Sequence, residues 1–477
     1  MPSSTTAFNK LPIELNKAIA HLLPTDCDIA RYRHICRATN DAVDGDNLSF
    51  WRAVLRRKFA LLAGKSNREL KRQYQRRTKY LRRGSGIDFR FGNSTLEKKV
   101  LGVLKDLIIE SFRGIETGTR TGTGTILVDR PQCLNQLAIS KFITDSRLLL
   151  NSKRPRANPG ESTHINPALA VVKLMCSHVL FDMDAKLVDK TIEFDEAQKA
   201  VYASTSLAPI FTGPKKNEVN MEWILHCFNF FRYYMTNQDA SFLHESLQDL
   251  DRAQRPSAWQ GPLKSGSSPL PKYWKGTYAY LERDTLYKFR QMSSNSTSKK
   301  ASRNENWIPE DLNVDEGKIQ SLQLDCNLDG NLPWPKEFEE ELHSLRETII
   351  PTTRAQHSKK ASTEDEALKN IQVKGWGEDL QDHFYATGWL NPLPDQCEIP
   401  GFMRFTLMKH FEDNLDNFTV NNLWAYEGVV LPGSRIILGR WWYASETEDL
   451  DKDYSGPFIL WAVDPEPDFS DDSDSGA

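Results

Sequence analysis

The sequence predicts an α+β protein of several domains, with helices over its first half and an antiparallel, barrel-like β domain over its second. The main observation behind this is a change of hydrophobic period near residue 272. Upstream, apolar residues recur at steps of three and four, as on one face of a helix. Downstream, short aromatic and β-branched runs alternate between Gly, Pro and Asn. A second observation is the run of Pro256, Gly261, Pro262, Gly266 and Pro269, which marks a boundary by composition. A third is bulk composition: 477 residues with 39% hydrophobic and 26% charged suffice for two or three globular domains. The boundaries expected are 1–60, a helical middle over 61–252, a linker over 253–272, the β domain over 273–464 and an acidic, disordered tail over 465–477.

The first sixty residues read as three short helices. Pro12 suits a first helical turn, where its missing N–H has no intrahelical partner, and Glu14 lies near the positive end of the helix dipole. Leu15, Ile19, Leu22 and Leu23 gather on one face before Pro24 closes the segment. A second apolar set follows at Ile29, Tyr32, Ile35 and Cys36, and a third at Leu48, Trp51, Leu55 and Phe59. Asp44-Gly45-Asp46 separates them. So short a stretch buries little apolar surface by itself, which suggests a permanent partner.

This opening resembles an F-box. The likeness rests on Leu11-Pro12-Ile13-Glu14-Leu15, on Ile19 and Leu22, on Asp26, on the step Arg33-His34-Ile35-Cys36-Arg37, and on Leu48 and Trp51. It implies a three-helix F-box that docks on the Skp-type adaptor of SCF ubiquitin ligases and, through it, on cullin. Carried over by position, the adaptor-binding set is Leu11, Pro12, Leu15, Ile19, Leu22, Ile35 and Cys36, with Trp51 closing the far end. Two departures stand out: Cys27-Asp28 follows Asp26 where an apolar residue is usual, and Thr39-Asn40 replaces a Trp.

The middle region carries an amphipathic helix through Leu96, Val100, Val103, Leu104, Leu107 and Ile108. After Leu148 to Leu150 and a polar break over 151–167, Val171, Leu174, Met175, Val179 and Leu180 resume the pattern. Trp223, Cys227, Phe230, Phe231 and Tyr234 form an aromatic face whose expected role is packing.

Strands are predicted at Trp274–Tyr280, Leu286–Phe289, Ile319–Leu324, Phe402–Leu407, Trp424–Val430, Ile436–Tyr443 and Phe458–Val463, with weaker candidates at Ile371–Trp376 and His383–Trp389. That number can close a small barrel and so remove exposed sheet edges. Polar inserts at Ser293–Asn306 and Glu347–Asn370 read as loops, and Trp334–Leu342 as one short helix.

From Trp274 on, the chain resembles the C-terminal region of many fungal F-box proteins. The matching motifs are Trp274-Lys275-Gly276-Thr277-Tyr278, Gly439-Arg440-Trp441-Trp442 and Gly456-Pro457-Phe458-Ile459-Leu460-Trp461. The likeness extends to lipocalin-like barrels behind some F-boxes, and it implies that the barrel mouth grips a target protein. Gly276 and Gly439 read as strand bends or bulges. Aromatic and Arg side chains dominate interface energetics, which makes Trp274, Tyr278, Arg440, Trp441 and Trp442 the candidates for target binding. An alternative reading makes the barrel a small-molecule binder with the F-box as an interaction handle.

Catalytic and cofactor chemistry is not expected. Gly118, Gly122 and Gly124 lack the spacing of a dinucleotide fingerprint, and no Gly-Lys-Ser/Thr follows them. Cys176 with His178, and His226 with Cys227, have no second pair at metal-ligand spacing, and no Cys lies in a nucleophile signature. The seven cysteines are odd in number and scattered, so they are expected reduced and buried. Met1 to Lys10 lack an apolar signal core and no stretch reaches the roughly 18 apolar residues of a membrane span, so the cytosol or nucleus is expected and a membrane is not. A net charge of −3 argues against a globally basic nucleic-acid binder. Arg52, Arg56, Arg57, Lys58, Arg68, Lys71, Arg72, Arg76, Arg77, Lys79, Arg82 and Arg83 nevertheless crowd one region with only Glu69 against them. A solvated face or a match to an acidic adaptor explains them better than nucleic acid, since few aromatic residues stand nearby.

Overall fold

The structure is a computed structural model that describes residues 7–89, 91–113, 133–149, 165–182, 194–237, 242–294, 319–326, 370–379, 382–411, 423–444 and 455–464. The glycine-rich run at 118–124, most of the insert at 293–306, almost all of that at 347–370, the segment 334–342 and the tail from 465 lie outside these residues. Two compact units form: Met1–Val172 with Gln260–Pro262, and Lys173–Trp259 with Leu263–Ala477.

The first unit opens with α1 (Ile13–Leu22), α2 (Asp26–Arg33), α3 (Arg37–Asp44) and α4 (Ser49–Lys58). Four helices therefore stand where three were expected. The second expected helix ends early because the His34 N–H turns back onto Arg31 and Tyr32, leaving Ile35 and Cys36 in the connection. Thr39 then caps a new helix by accepting the Cys36 N–H at 3.1 Å. The α3 core is made of Thr39, Ala42 and Val43, side chains too small and mixed to register as an apolar face in the sequence. Next come α5 (Asn67–Gly84), α6 (Thr95–Ile109), α7 (Leu134–Asp145) and α8 (Pro167–Val179), within which the division between the units falls. Ser66 with Glu69 and Ser94 with Glu97 form capping boxes that start α5 and α6. Leu70, Val100, Leu104, Leu107, Ile108, Ile139 and Phe142 build the core between them.

Four of the twelve basic residues singled out from the sequence pair with acids distant in sequence. Lys71 pairs with Asp44 at 2.8 Å, Lys58 with Asp26 at 3.0 Å and Arg76 with Asp106 at 2.5 Å, and the buried Arg77 pairs with Glu110. Arg68, Arg72, Lys79, Arg82 and Arg83 remain on the exposed side of α5.

The second unit contains α9 (Phe194–Val201), a two-stranded ribbon of β1 (Phe211–Thr212) and β2 (Glu218–Val219), α10 (Met221–Thr236) and α11 (Phe242–Gln248). Then follow β3 (Tyr273–Tyr278), α12 (Arg283–Ser294), β4 (Gln320–Asp325), β5 (Ile371–Asp379), β6 (Asp382–Pro392), β7 (Met403–His410), β8 (Leu423–Val430), β9 (Ile436–Ala444) and β10 (Ser455–Ala462). Strands β3 to β10 form a closed antiparallel barrel of eight strands, each paired with its neighbour in sequence. Closure comes from β10, where Leu460 pairs with Gly276 on one side and Ile437 on the other.

The strand expected at Leu286–Phe289 is instead part of α12. Four residues cannot distinguish a period of two from one of 3.6. In the helix Leu286 is buried, and Arg290, one turn on, donates to the Tyr202 carbonyl at 3.0 Å and to Ser455 Oγ at 2.8 Å. Neither Gly276 nor Gly439 is a bulge; both lie in regular register. At Gly439 the reason is close approach, since a Cβ there would stand 2.1 Å from the Glu427 carbonyl oxygen and 2.6 Å from the Phe458 ring.

The Pro- and Gly-bearing run from 253 is irregular yet packed. Within the second unit, Trp259 is fully buried with its ring 5.5 Å from that of His178. The indole of Trp461 donates to the Gln254 carbonyl at 2.9 Å. The aromatic face of α10 is buried as expected, with α10 packed on β9 and β10. Among the described residues no helix is long and apolar enough to cross a membrane.

Candidate functional site

Two surfaces merit attention, one in each unit. The first is α1, whose burial is inverted. Its fully buried residues are Asn16 and Ala20, while Ile13 is 40% exposed, Leu15 52% and Leu22 83%. Asn16 is held inside by donating to the Phe8 carbonyl at 3.0 Å and by accepting the Tyr32 hydroxyl at 2.8 Å. Burial raises the Tyr32 pKa above its ordinary value, so the phenol stays protonated as a donor. With Asn16 and Ala20 turned inward, Ile13, Leu15 and Leu22 of α1 face solvent and Ile19 is half-buried.

Of the eight adaptor candidates, Pro12, Leu15, Leu22 and Ile35 are exposed and Leu11, Ile19 and Cys36 half-buried. Trp51 lies inside: it is 5% exposed, its indole donates to Asp44 Oδ1 at 2.8 Å, and its ring is 5.6 Å from Tyr74. Ile13 belongs to the same exposed set and was not singled out from the sequence, although it stands inside the Leu-Pro-Ile-Glu-Leu segment.

The second surface is the end of the barrel where β3, β5, β7 and β9 finish and β4, β6, β8 and β10 begin. Inward positions are packed with Trp274, Phe384, Phe405, Leu407, Tyr426, Val430, Ile437, Trp441, Phe458 and Leu460, all buried. At this end the packing becomes aromatic and partly exposed. Trp441 touches Tyr278 at 5.5 Å, Trp424 at 5.5 Å and Tyr280 at 6.4 Å between ring centroids, and Trp424 touches Tyr443 at 5.0 Å. At the same end lies a buried ion pair, Lys409 with Asp379, whose ammonium stands 4.2 Å from the Phe384 ring centroid and 4.8 Å from that of Phe411. Desolvation lowers the Lys409 pKa and Asp379 opposes that shift. Burial, with Asp379 adding to it, pushes the Tyr426 phenol well up.

The five target-binding candidates separate. Tyr278 and Trp441 meet at this mouth. Trp274 faces inward near the opposite end, where its indole donates to the Pro271 carbonyl at 2.6 Å. Arg440 and Trp442 alternate with Trp441 and face the outer wall. Sequence reasoning passed over Trp424, Tyr280, Asp379 and Lys409. One signal was available: Lys409 continues the inward phase of Met403, Phe405 and Leu407. Among the described residues no group of three or more His, Cys, Asp or Glu is arranged to hold a metal ion.

No protein-family model, no curated protein and no solved structure matches this chain.

Proposed function

We propose that this chain is a substrate-recognition subunit of an SCF-type ubiquitin ligase, with α1 to α4 as an F-box that docks on a Skp-type adaptor and the β-barrel as a lipocalin-like domain that binds the target. The observation that carries the reading is the inversion of α1. A helix that buries Asn16 while Leu15 and Leu22 face solvent has its apolar face available for another polypeptide. The exposed Ile35 adds to the same resource. In this reading the chain contributes geometry rather than bond chemistry: holding a target lysine near a charged ubiquitin-conjugating enzyme raises its effective concentration.

The aromatic cluster at the barrel mouth, where half-buried Tyr278, Tyr280, Trp424 and Tyr443 surround the buried Trp441, supports target binding there, since Trp and Tyr contribute large rigid contact area at interfaces. The alternative, a barrel that encloses a small molecule, is disfavoured by the interior packing, because Phe405, Val430, Ile437 and Phe458 are fully buried against other side chains. Co-purification tests the proposal. A Leu11→Ala, Leu15→Ala double variant should lose adaptor and cullin while keeping its fold, and a variant that retains both at the unmodified level would refute the docking assignment.

A further inference from the structure

The outer wall of the barrel carries a second constellation, built from β7, β8, β9 and the segment that holds the β1–β2 ribbon. Arg404, Glu427 and Arg440 are all buried there although they face away from the barrel interior. Arg404 Nη2 donates to Glu427 Oε1, and its guanidinium lies 4.7 Å from the Phe211 ring centroid. Arg440 Nη2 donates to the carbonyls of Ala203 at 3.1 Å and Ala208 at 3.3 Å, and its guanidinium lies 4.9 Å from the Trp223 ring centroid. Both guanidinium groups are thereby fixed in place before any ligand arrives.

Arg404, Glu427 and Arg440, with Lys216, Thr205, Ser206 and Trp442, line a pocket of about 220 Å³. The lining has three cationic side chains against one carboxylate and two hydroxyls, and Pro209, Ile210 and Phe211 add an apolar wall. Trp442 is 3% exposed, and its buried Nε1–H has no hydrogen-bond partner. An anion entering the pocket gains the positive charge of Arg404, Arg440 and Lys216.

We propose that this pocket binds a small oxyanion of the phosphate or sulfate type. Its volume is under the roughly 300–1,000 Å³ of pockets that hold drug-sized ligands, and it has room for such an anion together with several waters. Guanidinium forks match the oxygen geometry of such a group, and Lys216 adds a mobile point charge. The group can be a free anion or can be carried on a phosphorylated side chain. The site rests on the barrel wall and ribbon alone, so it stands or falls independently of adaptor docking.

Calorimetric titration of the full chain with inorganic phosphate and with O-phosphoserine, at constant ionic strength set by chloride, tests this. Saturable binding of at least one of the two is expected, with Lys216→Gln weakening it by about ten-fold through loss of a charge-assisted contact. Binding of phosphoserine alone would identify the source as a modified side chain, and binding of phosphate would identify a free anion. No saturable heat with either probe, or unchanged affinity in Lys216→Gln, overturns the proposal.

Discussion

Tyr32 and Asn16 meet inside the N-terminal helices, where the Tyr32 hydroxyl donates to Asn16 Oδ1 at 2.8 Å and lies 3.1 Å from the Asn16 carbonyl oxygen. This pairing gives α1 a polar reason to turn Asn16 inward, and its apolar face is left outward as a consequence. Tyr32→Phe removes the only donor in that pairing and leaves a buried amide oxygen unsatisfied. The expected loss is about 1–3 kcal/mol of unfolding free energy, read by urea denaturation.

The exposed leucines should behave oppositely. Leu15→Ala and Leu22→Ala are expected to change monomer stability by no more than about 0.5 kcal/mol, because neither side chain packs in the core. Each should weaken adaptor binding by about 2–4 kcal/mol if it is an interface anchor. A Leu15→Ala variant that unfolds as readily as a core truncation would show that the side chain is covered by its own chain.

Inside the barrel, Lys409 and Asp379 form a buried pair in apolar and aromatic surroundings. Lys409→Met alone leaves Asp379 without its partner and should be destabilising by about 3–5 kcal/mol. The Lys409→Met, Asp379→Leu double variant should recover most of that loss. A double-mutant cycle in guanidinium unfolding measures the coupling, and additive effects would mean that the pair contributes nothing as a pair.

His178 supplies a pH dependence. It is fully buried, and desolvation is the main reason its pKa falls from 6.5 to about 3. The Ser257 backbone partly offsets that shift and the Arg435 charge reinforces it. The folded protein thus keeps this imidazole neutral, whereas the unfolded chain takes up a proton as pH drops below 6.5. Stability should therefore decline from about pH 6.5 toward pH 3, by at most about 1.4 kcal/mol per pH unit from this group. Comparing His178→Gln with the unmodified chain between pH 7 and pH 5 isolates the effect: the variant should lose that slope, and an identical slope in both would assign the acid sensitivity elsewhere.

Gly439 sets the spacing of β8, β9 and β10. Gly439→Ala would drive a methyl group against the Glu427 carbonyl and the Phe458 ring, so a loss of about 1–3 kcal/mol is expected in thermal or chemical unfolding.

The strands show how far a local pattern reaches. Six of the barrel strands announce themselves by alternation or by β-branched and aromatic content, and β5 and β6 do so more weakly, through Ile371–Trp376 and His383–Trp389. Leu286–Phe289 has the same local look and is helical, within a longer helix that buries Leu286 and whose Arg290 bonds Tyr202 and Ser455. The candidate sites were legible to a similar degree. The Leu-Pro-Ile-Glu-Leu segment could be read directly, and the structure adds that Leu15 is uncovered while Trp51 is not. The Trp-rich motifs were visible too, but their sharing between mouth, interior and outer wall was not.

Composition and period, read along the chain alone, determined a helical first half and a β second half of about the right strand number. Only the tertiary structure decided that β10 returns to β3, that Asn16 rather than Leu15 faces inward, and that Lys409 meets Asp379 while Arg404 meets Glu427. Periodicity is a property of neighbours two to four residues apart, carried by local backbone geometry. Closure, burial and charge pairing depend on register between segments tens or hundreds of residues apart, which no local pattern encodes.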